Sequence, residues 1–425
     1  MTTLTEMPKY ESYKYSGEEW IGDIPKHWVS QKLKHIFYEK KHKSNMSLSC
    51  GAISFGRVVD KGDEKVTEAT KKSYQEVLNG EFLINPLNLN YDLISLRIAL
   101  SEINVVVSAG YIVLKEKTNL DKNYFKYLLH RYDVAYMKLL GSGVRQTISV
   151  SHISNSLLLL PPIEEQTAIA NFLDEKTSKI DEAIAIKEKQ IELLKERKQI
   201  IIQQAVTQGL DPSVPMKDSG VEWIGLIPEH WVIRRSRFVF CQRKERARSK
   251  DVQLSATQAY GVIPQEQYEE MVGRKVVKIS FHLDKRKHVE INDFVISMRS
   301  FQGGLERAWA SGCIRSSYVV LRPVNPEEID AGFFSYLLKL PSYINALQMT
   351  ASFIRDGQDL NFDNFSQVDL FIPPIDEQRA IFSAIQSKVD EINKATEIFI
   401  GQITKYQEYK TTLINSAVTG KIKVV

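Results

Sequence analysis

The chain has 425 residues, 43% hydrophobic and 25% charged, with 56 Lys and Arg against 52 Asp and Glu for a net charge of +4. That length allows two or three packed domains of roughly 100–200 residues each, which excludes a single small module, and the ordinary composition excludes wholesale disorder or a fibrous repeat. Apolar runs such as Leu157 to Leu160 fall short of the roughly 18 residues that cross a bilayer, and Met1 to Trp20 is polar with no apolar signal core, so a cytoplasmic protein is expected.

In chain order, the first feature is Ser16-Gly17-x-Glu19-Trp20-Ile21-Gly22-x-Ile24-Pro25-x-His27-Trp28-Val29. It is repeated 203 positions on as Ser219-Gly220-x-Glu222-Trp223-Ile224-Gly225-x-Ile227-Pro228-x-His230-Trp231-Val232. An internal repeat of this kind sets the architecture before any single element does. A basic stretch follows each copy: Lys32, Lys34, Lys40, Lys41 and Lys43 in the first, and Arg234, Arg235, Arg237, Arg243, Lys244, Arg246, Arg248 and Lys250 in the second, with Arg274 and Lys275 further on.

Short β-like runs come next in each half, at Phe82 to Ile84, Asn104 to Val107 and Tyr111 to Leu114, then at Phe294 to Ile296 and Tyr318 to Leu321. One helix echoes in both, at Phe125-x-Tyr127-Leu128-Leu129 and Phe334-x-Tyr336-Leu337-Leu338. Loops rich in Arg, Asn and Gln stand beside these runs, and such side chains pair with guanine and adenine edges. The candidate readers are Asn88 and Asn90, Arg145 and Gln146, Arg299, Ser300 and Gln302, and Arg355 and Gln358. The candidate phosphate contacts are Lys40, Lys41, Lys43, Arg243, Lys244, Arg246, Arg274 and Lys275.

Each half then reaches Pro-Pro-Ile-x-Glu-Gln-x-Ala-Ile, at 161–169 and 373–381, 212 positions apart. Proline followed by acidic residues suits a helix start. In the second copy Ile385, Val389, Ile392, Thr396, Phe399, Ile403, Tyr406, Lys410, Leu413 and Ala417 alternate at four and three residues, the spacing of a coiled-coil seam. The first keeps phase through Leu173, Thr177, Ile180, Ile184, Ile191, Leu194, Ile201 and Ala205, interrupted by Lys187 and Lys198. Each helix begins at one domain, and the first must end at the other, so the two are expected to lie antiparallel in a pseudo-two-fold molecule. Duplex DNA has a matching dyad.

Catalytic patterns do not emerge. Gly51 to Gly56 has the length of a phosphate loop but continues as Arg57-Val58, where Lys-Ser/Thr is required. Cys50, Cys241 and Cys313 have no CxxC spacing, and His27 and His230 sit inside the Trp repeat as expected structural residues.

The tandem Trp-Ile-Gly-x-Ile-Pro-x-His-Trp elements, the two Pro-Pro-Ile-x-Glu-Gln starts, Gly-Ser-Gly-Val-Arg-Gln-Thr-Ile-Ser at 141–149 and the Ala-Val-Thr helix ends at 205–207 and 417–419 together resemble the specificity (S) subunits of type I restriction-modification systems over nearly the entire chain. The resemblance implies an α+β fold in which two similar globular target recognition domains are separated by two long antiparallel helices forming a coiled coil, a pseudo-two-fold internal repeat. Its implied parts are target recognition domain 1 with the N-terminal segment at 1–160, a first spacer helix at 161–210, target recognition domain 2 at 211–372 and a second spacer helix at 373–425. Each domain is expected to read one half of a bipartite site in double-stranded DNA. The helices are expected to seat two modification (methyltransferase) subunits, with restriction subunits completing the complex. No catalysis, cofactor or metal is implied for this chain: S-adenosylmethionine, ATP and Mg belong to the partner subunits. Two rival readings stand beside this one. A coiled-coil adaptor binding only proteins explains the seams but not the matched basic runs, and an autonomous DNA enzyme needs a cofactor site that these motifs do not supply.

Overall fold

The computed structural model describes residues 7–87, 96–137, 148–276, 285–297, 300–350 and 360–424. They form two compact units, residues 1–188 with 400–425 and residues 189–399. Each unit therefore contains the start of one long helix and the end of the other, since the helices run from Ile163 to Gln208 and from Ile375 to Val418.

In the first unit the centre is an antiparallel four-stranded sheet ordered Phe37–Glu39, Ile112–Glu116, Phe82–Ile84 and Ile98–Leu100. Successive side chains of a strand point to opposite faces, and here both faces are covered, which is why Phe82-Leu83-Ile84 reads as an unbroken apolar run. Phe82 and Ile84 join Phe37, Leu114 and the helix residues Tyr124, Phe125 and Leu128. Leu83 and Val113 turn the other way, onto Val58, Val77 and Val105.

The second unit repeats this plan with strands Phe240–Gln242, Val319–Pro323, Phe294–Ile296 and Glu306–Arg307. Phe294, Ile296 and Leu321 pack toward Phe333, Phe334 and Leu337, whereas Val295 and Val320 face Leu254, Val262 and Ile314. The echoed helices are Lys122–Ala135 and Ala331–Leu337. Each is capped by an aspartate, Asp121 accepting from Asn123 and Tyr124 N–H, and Asp330 from Phe333 N–H.

The repeated motifs turn out to bind one another. Strand Val29–Lys32 pairs with Leu157–Leu160, and Val232–Arg235 with Asp369–Ile372, which brings each Trp motif to the following Pro-Pro helix start. Buried Trp28 donates its indole N–H to Glu165 Oε2 at 3.0 Å, and His27 Nε2 lies 2.6 Å from Glu165 Oε1. Trp231 and His230 reach Glu377 likewise, at 3.1 and 2.7 Å, though here both meet the one oxygen Oε2. Burial pushes the Glu165 carboxyl up, but its bonds from Trp28, His27 and Tyr10 outweigh that and hold it below its ordinary value. The next residue serves a second joint. Buried Gln166 accepts from the Asp121 N–H at 3.0 Å and donates to Pro161 O, while Gln378 accepts from Asp330 N–H at 2.8 Å and donates to Pro373 O. Glu and Gln at those two places thus tie the helix start to the motif before the domain and to the helix inside it.

Along the long helices the expected seam is the least exposed line. Leu173, Thr177, Ile180 and Ala205 are buried on the first, and Ile385, Val389, Ile392, Leu413 and Ala417 on the second, with half-buried seam residues between them. Lys187 and Lys198, where the apolar pattern breaks, are also half-buried. In the first unit Lys410 Nζ meets Asp181 at 2.7 Å, and in the second Lys198 Nζ meets Asn393 Oδ1 at 3.0 Å. Shifted by 212 positions, Lys198 becomes Lys410 and Asp181 becomes Asn393. These are one repeated pair with the partners exchanged, the result of antiparallel packing between repeats. In the first unit Lys423 N–H donates to Pro8 O at 2.7 Å, which brings the first and last described segments together.

Candidate nucleic-acid interface

The two basic stretches follow equivalent strands, and their charges divide in the same way. Lys40 is the repeat partner of Arg243, Lys41 of Lys244 and Lys43 of Arg246, each 203 positions apart. Lys40, only 16% exposed, sits 2.9 Å from Glu81 and 3.4 Å from Glu76. Arg243, 12% exposed, grips Asp293 through Nε at 2.6 Å and Nη2 at 3.1 Å, and reaches Glu245 through Nη1 at 2.7 Å. Glu81 and Asp293 are themselves repeat partners, 212 positions apart. A low-exposure ion pair is thus built twice into the frame, and the charge of Lys40 and Arg243 is engaged within each unit.

The residues after them face outward. Lys41, Lys244 and Arg246 are exposed, and Lys43 is 69% exposed with its ammonium 3.3 Å from Glu76. Burial pushes Glu76 up, yet Asn45, Lys43 and Lys40 together hold it below its ordinary value, so it keeps the charge that anchors this loop. Arg274 and Lys275 are exposed directly after Gly273, which ends helix Gln265–Val272 in a left-handed conformation at φ 66°. Arg248 bridges Glu245 and Glu290, both at 2.9 Å.

Ser300 is buried, its hydroxyl accepting from Ser297 N–H at 2.9 Å, while Gln302 is exposed. Asn88, Asn90, Arg145, Gln146, Arg299, Arg355 and Gln358 lie outside the described residues. Sequence reasoning missed one exposed feature, the hairpin of strands Gly51–Ser54 and Arg57–Asp60, whose turn carries Phe55 at 81% exposure. Its signal was the Phe55-Gly56 dipeptide, an aromatic residue beside a turn glycine. Among the described residues no group of three or more His, Cys, Asp or Glu is placed to hold a metal ion, and no helix is long and apolar enough to cross a membrane.

Residues 25–196 match the family model of the type I restriction modification DNA specificity domain. This match and the relative below make the chain similar to the specificity subunits of type I restriction-modification systems. A Methanocaldococcus jannaschii protein assigned as the MjaX specificity subunit of a type I restriction enzyme is 25% identical over 453 residues, covering the whole of both chains. Among solved structures, a chain from work on complex assembly and conformational transition of the type I R-M system aligns over 93% of this chain and 98% of its own, with a TM-score of 0.67 at 13% identity. The HsdS subunit of Thermoanaerobacter tengcongensis aligns over 94% and 98%, with a TM-score of 0.51 at 13% identity. At that identity the two structures show a shared fold.

Proposed function

We propose that the chain reads a bipartite target in double-stranded DNA, one half-site per globular domain, and holds the other subunits of a type I complex through its long helices. The recognition domains are residues 1–160 and 211–372, and the spacer helices 161–210 and 373–425. The chain performs no chemistry of its own in this reading: S-adenosylmethionine, ATP and Mg serve the modification and restriction subunits, and the complex works in the cytoplasm.

The observation that carries this reading is the repetition of one frame under two different surfaces. The Trp–Glu clamp, the Gln–Asp joint and the Lys40–Glu81 and Arg243–Asp293 pairs recur, whereas the exposed hairpins differ, with a two-residue turn at Phe55-Gly56 in the first half and a three-residue turn at 258–260 in the second. Phosphate contacts position a protein on DNA and base contacts specify its sequence, so a fixed frame with interchangeable loops suits two independent readings. Support for seating partner subunits comes from Ile186, Leu193 and Ile200, which stand seven residues apart on the first long helix, away from the seam, at 59%, 51% and 54% exposure. Such a stripe is a surface for protein contact.

Exchanging residues 30–155 for the same segment of a related subunit and mapping methylation tests the reading. One half-site should change and the other should stay. Change in both halves would show that the domains do not read independently, and absence of salt-dependent DNA binding would favour the adaptor.

A further inference from the structure

We propose that Phe55 is a DNA-inserting side chain: its ring, at the tip of the hairpin Gly51–Asp60, enters the base stack of the half-site read by the first domain. The inference rests on the DNA-reading function proposed above. The hairpin register pairs Ser54 with Arg57, leaving Phe55 and Gly56 as a two-residue turn with φ of 47° and 73°. Turns with two positive φ values favour Asn-Gly or Gly-Gly, and a phenyl-bearing residue there is strained. Phe55 is also 81% exposed, so the ring gains little from burial in return for that strain. Neither turn chemistry nor core packing accounts for a phenylalanine at this place.

The tip is braced. A Cβ added at Gly56 would stand 2.7 Å from Leu96 Cδ1, so the turn backbone lies against that side chain. Around the ring, a recess of about 540 Å³ is lined by Arg57, Lys126 and His130 against Glu102. An apolar ring rimmed by cations fits a partner that offers π faces within and phosphates without, which is the duplex. The other unit has a related hairpin with a longer, three-residue turn at 258–260, since Thr257 pairs with Gly261. Its hairpin Leu254–Pro264 places Tyr260, 41% exposed, immediately before Gly261, whose φ is also 73°. Although the surfaces of the two halves differ, each hairpin presents an aromatic residue followed by a left-handed glycine.

The test uses the full-length chain, alone and assembled with modification subunits, to select duplexes from a random-sequence pool. 2-Aminopurine is then placed at each step of the selected half-sites. Insertion predicts a fluorescence rise at one step in the half-site of the first domain, lost in Phe55→Ala together with about ten-fold in affinity, and retained in Phe55→Trp. Phe55→Gly should melt at a higher temperature than the parent, because glycine suits the positive φ, yet bind as weakly as the alanine variant. A purely structural role would move stability and affinity together. Unchanged affinity and an unchanged fluorescence pattern in Phe55→Ala would overturn the proposal, as would a defect confined to subunit assembly. If the pool yields no enriched sequence in either form, the DNA-reading function itself fails, a result distinct from enrichment without an inserted ring.

Discussion

Glu306 lies at the edge of the second sheet with its side chain 3% exposed, and its cation is Lys339, 2.7 Å away. Burial raises its pKa from 4.5 to about 7, against the pull of Lys339. Because the folded value is the higher one, the folded state holds the proton more tightly, and stability from this group is full below about pH 4.5 and declines as pH rises to about 7. At 1.36 kcal/mol per unit the decline is of order 3 kcal/mol. In Glu306→Gln that slope should vanish, so the difference between the melting temperatures of variant and parent should change between pH 4.5 and 7 and flatten above it. A constant difference across this range would mean that Glu306 titrates normally.

At the scale of elements, two glycines, one inside the second long helix and one just past its end, should respond in opposite ways to the same change. Gly401 sits in the helix interior, exposed, and an added Cβ would meet nothing within 4 Å. Gly401→Ala should therefore stabilise the chain by about 0.5–1 kcal/mol through helix propensity alone. Gly420 follows the helix at φ 70°, and a Cβ there would collide with the Pro25 ring and approach Trp28 at 3.2 Å. Gly420→Ala should cost about 1–3 kcal/mol. The reason lies in the packing: Leu413, Ile414, Ala417 and Val418 share a core with Ile21, Ile24 and Trp28, so the helix end closes onto the first Trp motif. Denaturant unfolding of both variants checks the two signs, and a destabilising Gly401→Ala would mean that the helix needs to bend there.

At the scale of the whole chain, each unit joins the end of one long helix to a Trp motif. The first helix ends on the second Trp motif, where Val206 packs with Ile227 and Trp231, and the second helix ends on the first. Lys423 meets Pro8 in the first unit, and shifts of 203 and 212 positions carry both residues to Asp211, in the exposed join at Asp211 to Ser213 of the second. Joining Val425 to Met1 through a short linker and opening the chain at Pro212 should give a permutant that folds and keeps its methylation target, since breaks at exposed joins are tolerated. A soluble permutant that no longer supports methylation in the assembled complex would show that an unbroken join at Asp211 to Ser213 is required.

The repeat, both long helices, the seam and the two inner strands of each central sheet were legible in the sequence, because each is written in local signals: residue identities at fixed offsets, four-three spacing and compact apolar runs. It also marked the two basic stretches as equivalent. It did not show which cations are available, since that depends on partners far along the chain: Lys40 is engaged by Glu81 and Arg243 by Asp293, while Lys41 and Lys244 beside them face outward. Nor did Glu165 and Gln166 reveal that they hold Trp28 and Asp121, having read only as an acidic helix start. The Phe55 turn was hidden inside a stretch that resembled a failed phosphate loop. For the cations and the helix starts the residue type was visible, but packing between distant segments decided what each touched; for Phe55 the pairing is local, and only the backbone conformation of the turn reveals its exposure.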